Sequence, residues 1–195
     1  MSDQEETRDP RVQRTTQLVQ QAFVELLHQK RFETITVKDI SKQAGVNRAT
    51  FYAHFADKYA LLDATISSIF QQLLLKRLPT HAMTHFADFE SVVLAVCDFL
   101  CQFDGACRLM QRHFEVLVEQ EIKKHVTDLI QRWLMTTDKR HDPNDLTAEQ
   151  AAIMASWSIY GASLHWSRQQ PRPSPHVLAK QVLRLLADGL CGYGD

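Results

Sequence analysis

The chain has 195 residues, 22 Lys/Arg against 23 Asp/Glu for a formal net charge of -1, and 45% hydrophobic residues. This composition excludes global disorder, and its length suits one medium domain or a small domain fused to a larger one. Taken alone, the net charge argues against a nucleic-acid binder, while 6 glycines and a single sizeable β-branched run, Thr34 to Val37, favour helix over sheet.

Distribution changes the reading of charge. Pro10 to Leu62 holds eight Lys/Arg and four Asp/Glu, whereas the residues on either side are net acidic. A basic block near the N-terminus therefore precedes a mildly acidic body. Met1 to Asp9 is polar and acidic, without the apolar core of a signal peptide. No apolar stretch reaches the roughly 18 residues that span a bilayer. A cytoplasmic protein with no membrane partner is expected. Cys97, Cys101, Cys107 and Cys191 form no CxxC pair and match no zinc-finger spacing, so they read as reduced thiols packed in helices.

The first helix opens at Asp9-Pro10, an N-cap followed by a proline tolerated at the first helical position. Leu18, Val19, Ala22, Phe23, Leu26 and Leu27 form its apolar stripe, which fades near Lys30. Thr36 and Asp39 form a capping box over a short helix that stops at Ala44-Gly45. Asn47 caps another short helix, Arg48 to about Phe55, and Asp57 caps a long one carrying Leu61, Leu62, Ile66, Ile69, Phe70, Leu73 and Leu74 to about Arg77.

Pro79 to His85 reads as a loop. Phe89, Val92, Val93, Val96, Phe99, Leu100 and Phe103 mark a fifth helix, which Asp104-Gly105 is expected to break; Arg108 to Gln111 forms a short helix after it. Leu117, Val118, Ile122, Val126, Leu129, Ile130, Trp133 and Leu134 mark a long helix. Asp138 to Asp145 is a charged loop. Thr147 and Gln150 form a second capping box, opening a helix through Trp166, and Ser174-Pro175 starts the last, with Leu178, Val182, Leu185, Leu186 and Leu190 on one face. The chain reads as all-α, with about nine helices.

Two short helices joined by a glycine turn fit a helix-turn-helix. Ile40, Ala44, Val46 and Phe51 can form the small core that fixes the inter-helix angle. The second helix then shows Arg48, Thr50 and Tyr52 near its N-terminal end, with His54 a turn further on. Such a helix fits the major groove of B-DNA. Arg48 can donate to guanine O6 and N7 or to a phosphate; Thr50, Tyr52, His54 and Lys58 suit phosphate. The backbone N–H groups of Thr36 and Val37 sit at a helix N-terminus, a natural phosphate site. Lys38 and Lys42 read as a solvated face that adds long-range attraction.

The run Thr34 to Leu62, TITVKDISKQAGVNRATFYAHFADKYALL, resembles the DNA-binding segment of the TetR family, in an AcrR-like form. The matching positions are Thr36, Ala44-Gly45-Val46, Thr50-Phe51-Tyr52, His54-Phe55, Lys58 and Leu61-Leu62. The Asn47-Arg48 and Lys58-Tyr59 pairs are similar to a branch that includes regulators of dihydroxyacetone metabolism. The resemblance covers Arg11 to about Phe70. It implies a three-helix DNA-binding domain over residues 1–57 and an effector-binding and dimerisation domain over 58–195, a helical bundle whose last two helices pair two subunits.

With the motif, it places Thr36, Val37, Lys38, Arg48, Ala49, Thr50, Tyr52, His54 and Lys58 at double-stranded operator DNA. It implies a homodimeric regulator, a repressor, whose operator binding answers to a small-molecule effector; a partner protein docking on the second domain is the alternative. Phe103, Phe114, Leu117, Trp133, Trp157 and Tyr160 are aromatic and apolar residues that would line an effector pocket or pack as core or dimer interface. His81 with His85, and Cys97 with Cys101, are spaced as helical neighbours but lack a third ligand, so no metal and no cofactor are expected. Without GxSxG, Walker A, HExxH or GxGxxG patterns, the chain is read as a non-enzyme.

Overall fold

The computed structural model describes residues 10–78, 83–107, 112–136 and 146–190, with side chains described at all of these except 103–107, 112–114 and 188–190. The described residues form eight α-helices and one 3₁₀ turn, with no strand. They divide into two units: one takes in the chain up to Thr65 together with 105–115, the other Ile66–Asp104 and the chain from Val116 onward. The boundary falls inside the fourth helix.

In the N-terminal unit, α1 (Pro10–Gln29) buries Val19, Ala22, Phe23, Leu26 and Leu27. Leu18, expected in that stripe, is exposed; it lies at the margin of the face that α1 turns toward α2 (Val37–Ala44) and α3 (Arg48–His54). Between α1 and α2 the chain makes a 3₁₀ turn, Phe32–Thr34, absent from the periodicity reading because three residues are too few for a period. Phe32 is buried there, edge-on to Phe23 and Tyr59 at centroid distances of 6.1 and 5.2 Å.

The second helix opens on the expected capping box. Thr36 Oγ1 accepts from the Asp39 N–H at 3.2 Å, and Asp39 Oδ2 accepts from the Thr36 N–H at 3.0 Å. It closes at Gly45, whose φ of 68° is the left-handed conformation that a side-chain-bearing residue adopts only with strain. Ile40 and Phe51 are fully buried beneath the turn, while Ala44 and Val46 are half-buried at its edge. The fourth helix, α4 (Lys58–Arg77), starts on Asp57, whose Oδ1 accepts from the N–H groups of Tyr59 and Ala60 at 2.8 Å each.

The C-terminal unit contains the rest of α4, most of α5 (Asp88–Cys107) and of α6 (Arg112–Thr136), and α7 (Ala148–Ser167) and α8 (Pro175–Leu190). The expected break at Asp104-Gly105 does not occur: α5 runs on to Cys107. One glycine costs a helix only about 1 kcal/mol relative to alanine, less than ending the helix there would forfeit in backbone hydrogen bonds. Likewise α6 opens ahead of its first apolar residue. The expected short helix at Arg108 to Gln111, the loop Asp138 to Asp145 and most of the loop at Pro79 lie outside the described residues.

From Val92 to Cys97 every side chain of α5 is buried, the signature of a helix enclosed on all sides. Phe99 meets Phe70 of α4 edge-on at 6.1 Å, and Phe89 meets Trp133 of α6 edge-on at 5.4 Å. Arg77 ties α4 to α5 by donating from Nε and Nη2 to Asp98 Oδ2 at 3.0 and 2.7 Å. The helices α7 and α8 pack together, α7 burying Ala151, Ala152, Ala155 and Ile159 and α8 burying Ala179, Val182 and Leu186. Leu185, on the same apolar stripe of α8, is exposed. The Trp166 indole donates to Pro173 O at 2.8 Å across the α7–α8 turn.

The capping box generates a prediction. Thr36→Ala should lower stability by about 1 kcal/mol in a denaturant titration. Its partner carries a pH signature. The Lys30 ammonium 2.9 Å away, and then the Thr36 donors, hold the Asp39 carboxyl well below its ordinary 3.8. The unfolded chain therefore takes up this proton first, so the contribution is full at neutral pH and is lost as the pH falls below about 4. Asp39→Asn should shrink the drop in unfolding midpoint between about pH 6 and about pH 3; equal drops in both proteins would show that Asp39 is not the group responsible.

Candidate nucleic-acid interface

Helices of eight and seven residues are too short to persist alone. In α3 the deficit is met at both ends and beneath. Asn47 Oδ1 accepts from the Thr50 N–H at 2.7 Å and from the Thr50 hydroxyl at 3.0 Å. Phe51 anchors the helix in the unit's core and touches Phe55 at 5.8 Å. The remaining positions face out. Arg48, Ala49, Tyr52 and Ala53 are all exposed, Tyr52 at 56%. Their spacing places them on one strip of the helix.

The sequence-derived residues divide by local duty. Arg48, Ala49 and Tyr52 lie on the strip, and Lys38 and Lys42 are exposed on α2; Lys38, Lys42 and Arg48 make no ion pair among the described residues. Val37 is half-buried at the start of α2. The N–H and hydroxyl of Thr36 are both given to Asp39, the hydroxyl at 2.8 Å, and Thr50 is engaged by Asn47. His54 is half-buried, its Nδ1 3.2 Å from Thr16 Oγ1, a link from α3 to α1.

Lys58 has a duty that local sequence did not reveal. Its ammonium donates to the carbonyls of Phe32, Glu33 and Ile35 at 3.0, 3.1 and 3.1 Å, and lies 4.5 Å from the centre of the Phe32 ring. Three donors meeting three carbonyls hold the 3₁₀ turn against the start of α4. The turn in turn sets the N-terminus of α2. Gln20 adds a second tie, donating from Nε2 to Ala64 O at 3.0 Å. The nearest sequence signal for either contact was a polar residue within an otherwise apolar helical face.

The residues expected to line an effector pocket are not gathered around a described cavity. Trp133 and Tyr160 are buried, Leu117 is half-buried, and the side chains of Phe103 and Phe114 lie outside the described residues. Trp157 is 59% exposed, with the Lys123 ammonium 3.2 Å from its ring centre. It lies on the face of α7 opposite the buried alanines. Among the described residues of the C-terminal unit, Gln71, Leu74, Leu78, His125, Leu129 and Arg132 line a cavity of about 290 Å³. A more open groove of about 530 Å³ runs along α8 beside Phe86.

Of the cysteines, Cys97 is buried 3.7 Å from Ser163 Oγ, and burial pushes its thiol up to about 11, which keeps it protonated and unreactive. Cys101 is exposed, with Arg172 Nη1 3.6 Å from its sulfur. His81 lies outside the described residues; among those described, no three His, Cys, Asp or Glu side chains cluster as metal ligands. No helix among them is long and apolar enough to cross a membrane.

Residues 21–65, from the middle of α1 into α4, match the family of bacterial regulatory proteins known as the tetR family. The match covers 45 of the 195 residues and takes in all of α2 and α3. An uncharacterized HTH-type transcriptional regulator, YxbF of Bacillus subtilis (strain 168), is 40% identical over 65 residues; the match spans 33% of this chain and 17% of that protein. Over nearly the whole chain the fold is similar to that of solved transcriptional regulators. The fatty acid degradation regulator FadR from Bacillus halodurans superposes with a TM-score of 0.62 at 20% identity, over 89% of this chain and 98% of that one. A TetR transcriptional regulator from Streptococcus agalactiae 2603V superposes at 0.56 with 21% identity, over 93% and 98%. The family segment coincides with the capped pair α2–α3 and its supports.

Lys58→Met should destabilise the N-terminal unit by about 1–3 kcal/mol, because it strips charged donors from three carbonyls. Thermal unfolding of the variant measures this. An unchanged transition would mean that water replaces the ammonium without loss.

Proposed function

We propose that the chain is a sequence-specific DNA-binding transcriptional regulator, a cytoplasmic repressor, with residues 1–57 as the DNA-binding domain and 58–195 as the effector-binding and dimerisation domain. The carrying observation is the exposed strip Arg48, Ala49, Tyr52 and Ala53 on a helix fixed by a cap and a buried Phe51. Such a helix enters the major groove and offers Arg48 to guanine edges, while Lys38 and Lys42 supply charge toward phosphates. Because Thr36, Thr50, His54 and Lys58 each have a partner within the protein, their polar groups act on DNA by holding α2 and α3, or by sharing a donor with a phosphate.

Dimerisation is supported by an uncovered apolar face. Ile153, Met154 and Trp157 on α7 are exposed by 41, 58 and 59%, and Val177 and Leu185 on α8 by 49 and 67%. A methyl group added at Gly161, on the same side of α7, would meet nothing. Burying this face against a second copy offsets the cost of leaving it in water. Two copies present two recognition helices to half-sites about 34–36 Å apart, or a multiple of that, on a pseudo-palindromic operator. The cavity in the C-terminal unit supports a small molecule over a partner protein as the signal. An effector need couple to DNA by only about 1–3 kcal/mol to switch occupancy.

Fluorescence anisotropy on duplexes from the DNA flanking the gene, against a scrambled duplex, tests the reading. Binding at least about 10³-fold tighter to one native duplex is expected. Equal, steeply salt-dependent binding to all would reduce it to the phosphate contribution. Arg48→Ala should cost about 1–3 kcal/mol on the specific duplex, with folding unchanged. Trp157→Glu should convert the dimer to monomer in analytical ultracentrifugation, since it places a charge on the apolar face; a dimer that survives would move the interface elsewhere.

A further inference from the structure

The cavity between α4 and α6 carries more specific chemistry than its size alone. Leu74, Leu78 and Leu129 are almost wholly buried and give it an apolar floor. Gln71, His125 and Arg132 complete the lining, with Gln71 and Arg132 exposed and His125 half-buried. At about 290 Å³ it is at the lower end of ligand sites, which run to roughly 1,000 Å³.

The His125 ring is held in one orientation. Its Nε2 lies 2.9 Å from Ser67 Oγ, and its face is 6.0 Å from the Phe70 ring. Ser67 Oγ donates its own proton to Glu121 Oε2 at 3.4 Å. With that proton directed at Glu121 the hydroxyl accepts from the imidazole, and we assign the ring proton to Nε2 and the acceptor role to Nδ1 on this arrangement. Burial, the largest influence, lowers the His125 pKa below its ordinary 6.5, so the ring is neutral at physiological pH. Glu121, Lys124, Asp128 and Arg132 are the charged groups that act on it. Of these four only Arg132 lines the cavity, so the lining presents one positive charge, the neutral His125 ring, the Gln71 amide and a hydrocarbon floor.

We propose that this cavity binds a small amphipathic hydroxy acid, with its carboxylate on the Arg132 guanidinium, its hydroxyl donating to His125 Nδ1 and its apolar body on Leu74, Leu78 and Leu129. The anion is matched by a planar fork of donors, the hydroxyl by an acceptor the protein leaves open, and the body by three leucines. This deepens the effector reading above and rests on it only for the consequence at DNA.

Calorimetric titration of the full-length protein with three probes tests the proposal without DNA. The probes are 4-hydroxyphenylacetate, phenylacetate, which lacks the hydroxyl, and 2-(4-hydroxyphenyl)ethanol, which lacks the charge. Saturable binding of 4-hydroxyphenylacetate is expected, about 3- to 10-fold weaker for phenylacetate and about 10- to 100-fold weaker for the alcohol. Arg132→Gln, at an exposed position that should leave folding intact, should bring the acid down to the affinity of the alcohol. No saturable binding of 4-hydroxyphenylacetate, or an Arg132→Gln protein that binds it as the native one does, overturns the proposal. Anisotropy of the protein–DNA complex with the same probe then addresses regulation separately. Saturable, Arg132-dependent binding that leaves DNA affinity unchanged supports the site and sinks only its role as an effector site.

Discussion

Two helices of eight and seven residues cannot hold themselves together, and the N-terminal unit is arranged around that shortfall. The N-terminus of each of the helices α2 to α4 is met by a side chain: Thr36 and Asp39 at α2, Asn47 at α3, Asp57 at α4. Gly45 supplies the one backbone conformation that lets α2 stop and α3 begin within three residues. Ile40 and Phe51, fully buried beneath the turn, convert these local arrangements into a fixed angle. Lys58 closes the system from the far side by holding the turn at Phe32–Thr34, so the start of α2 is set both by its own cap and by the helix that follows α3.

The C-terminal unit is stabilised differently. Its helices are long enough to propagate, and it relies on packing around α5, whose side chains from Val92 to Cys97 are all enclosed. Polar ties are few and placed where helices must not slide, as with Arg77 on Asp98 and Trp166 on Pro173. The thiol of Cys97, raised by burial, is part of this packing and has no nucleophilic chemistry at neutral pH. By contrast α7 buries its alanine-rich side and leaves Ile153, Met154 and Trp157 to solvent, so that a single helix serves as core on one side and as surface on the other.

Features written in neighbouring residues were legible in the sequence. The capping boxes at Thr36 and Thr147 and the stop at Gly45 each depend on a span of about four residues, and each is present. Features that depend on distant partners were not. The role of Lys58 requires a turn 26 residues earlier in the chain. The orientation of His125 requires Ser67, 58 residues away. Periodicity identified the apolar positions of α7 and α8 but could not say which of them a neighbour in the same chain covers; Trp157 and Leu185 are left exposed. Gly105 marked a plausible break, yet the rest of α5 outweighed it. For the recognition strip, the motif showed which residues face outward; the structure adds that Thr36, Thr50, His54 and Lys58 also hold the scaffold.

That last division bears on how such a protein can change over time. Arg48, Ala49, Tyr52 and Ala53 are exposed, while the cap, the turn glycine and the buried Phe51 that fix α3 are different residues. Substitutions on the strip can therefore alter which surface the helix complements at little cost to folding, since surface changes away from caps and core seldom exceed about 0.5 kcal/mol. Descendants of one stable scaffold could drift apart in what they recognise, one exposed side chain at a time, without passing through an unfolded intermediate sequence.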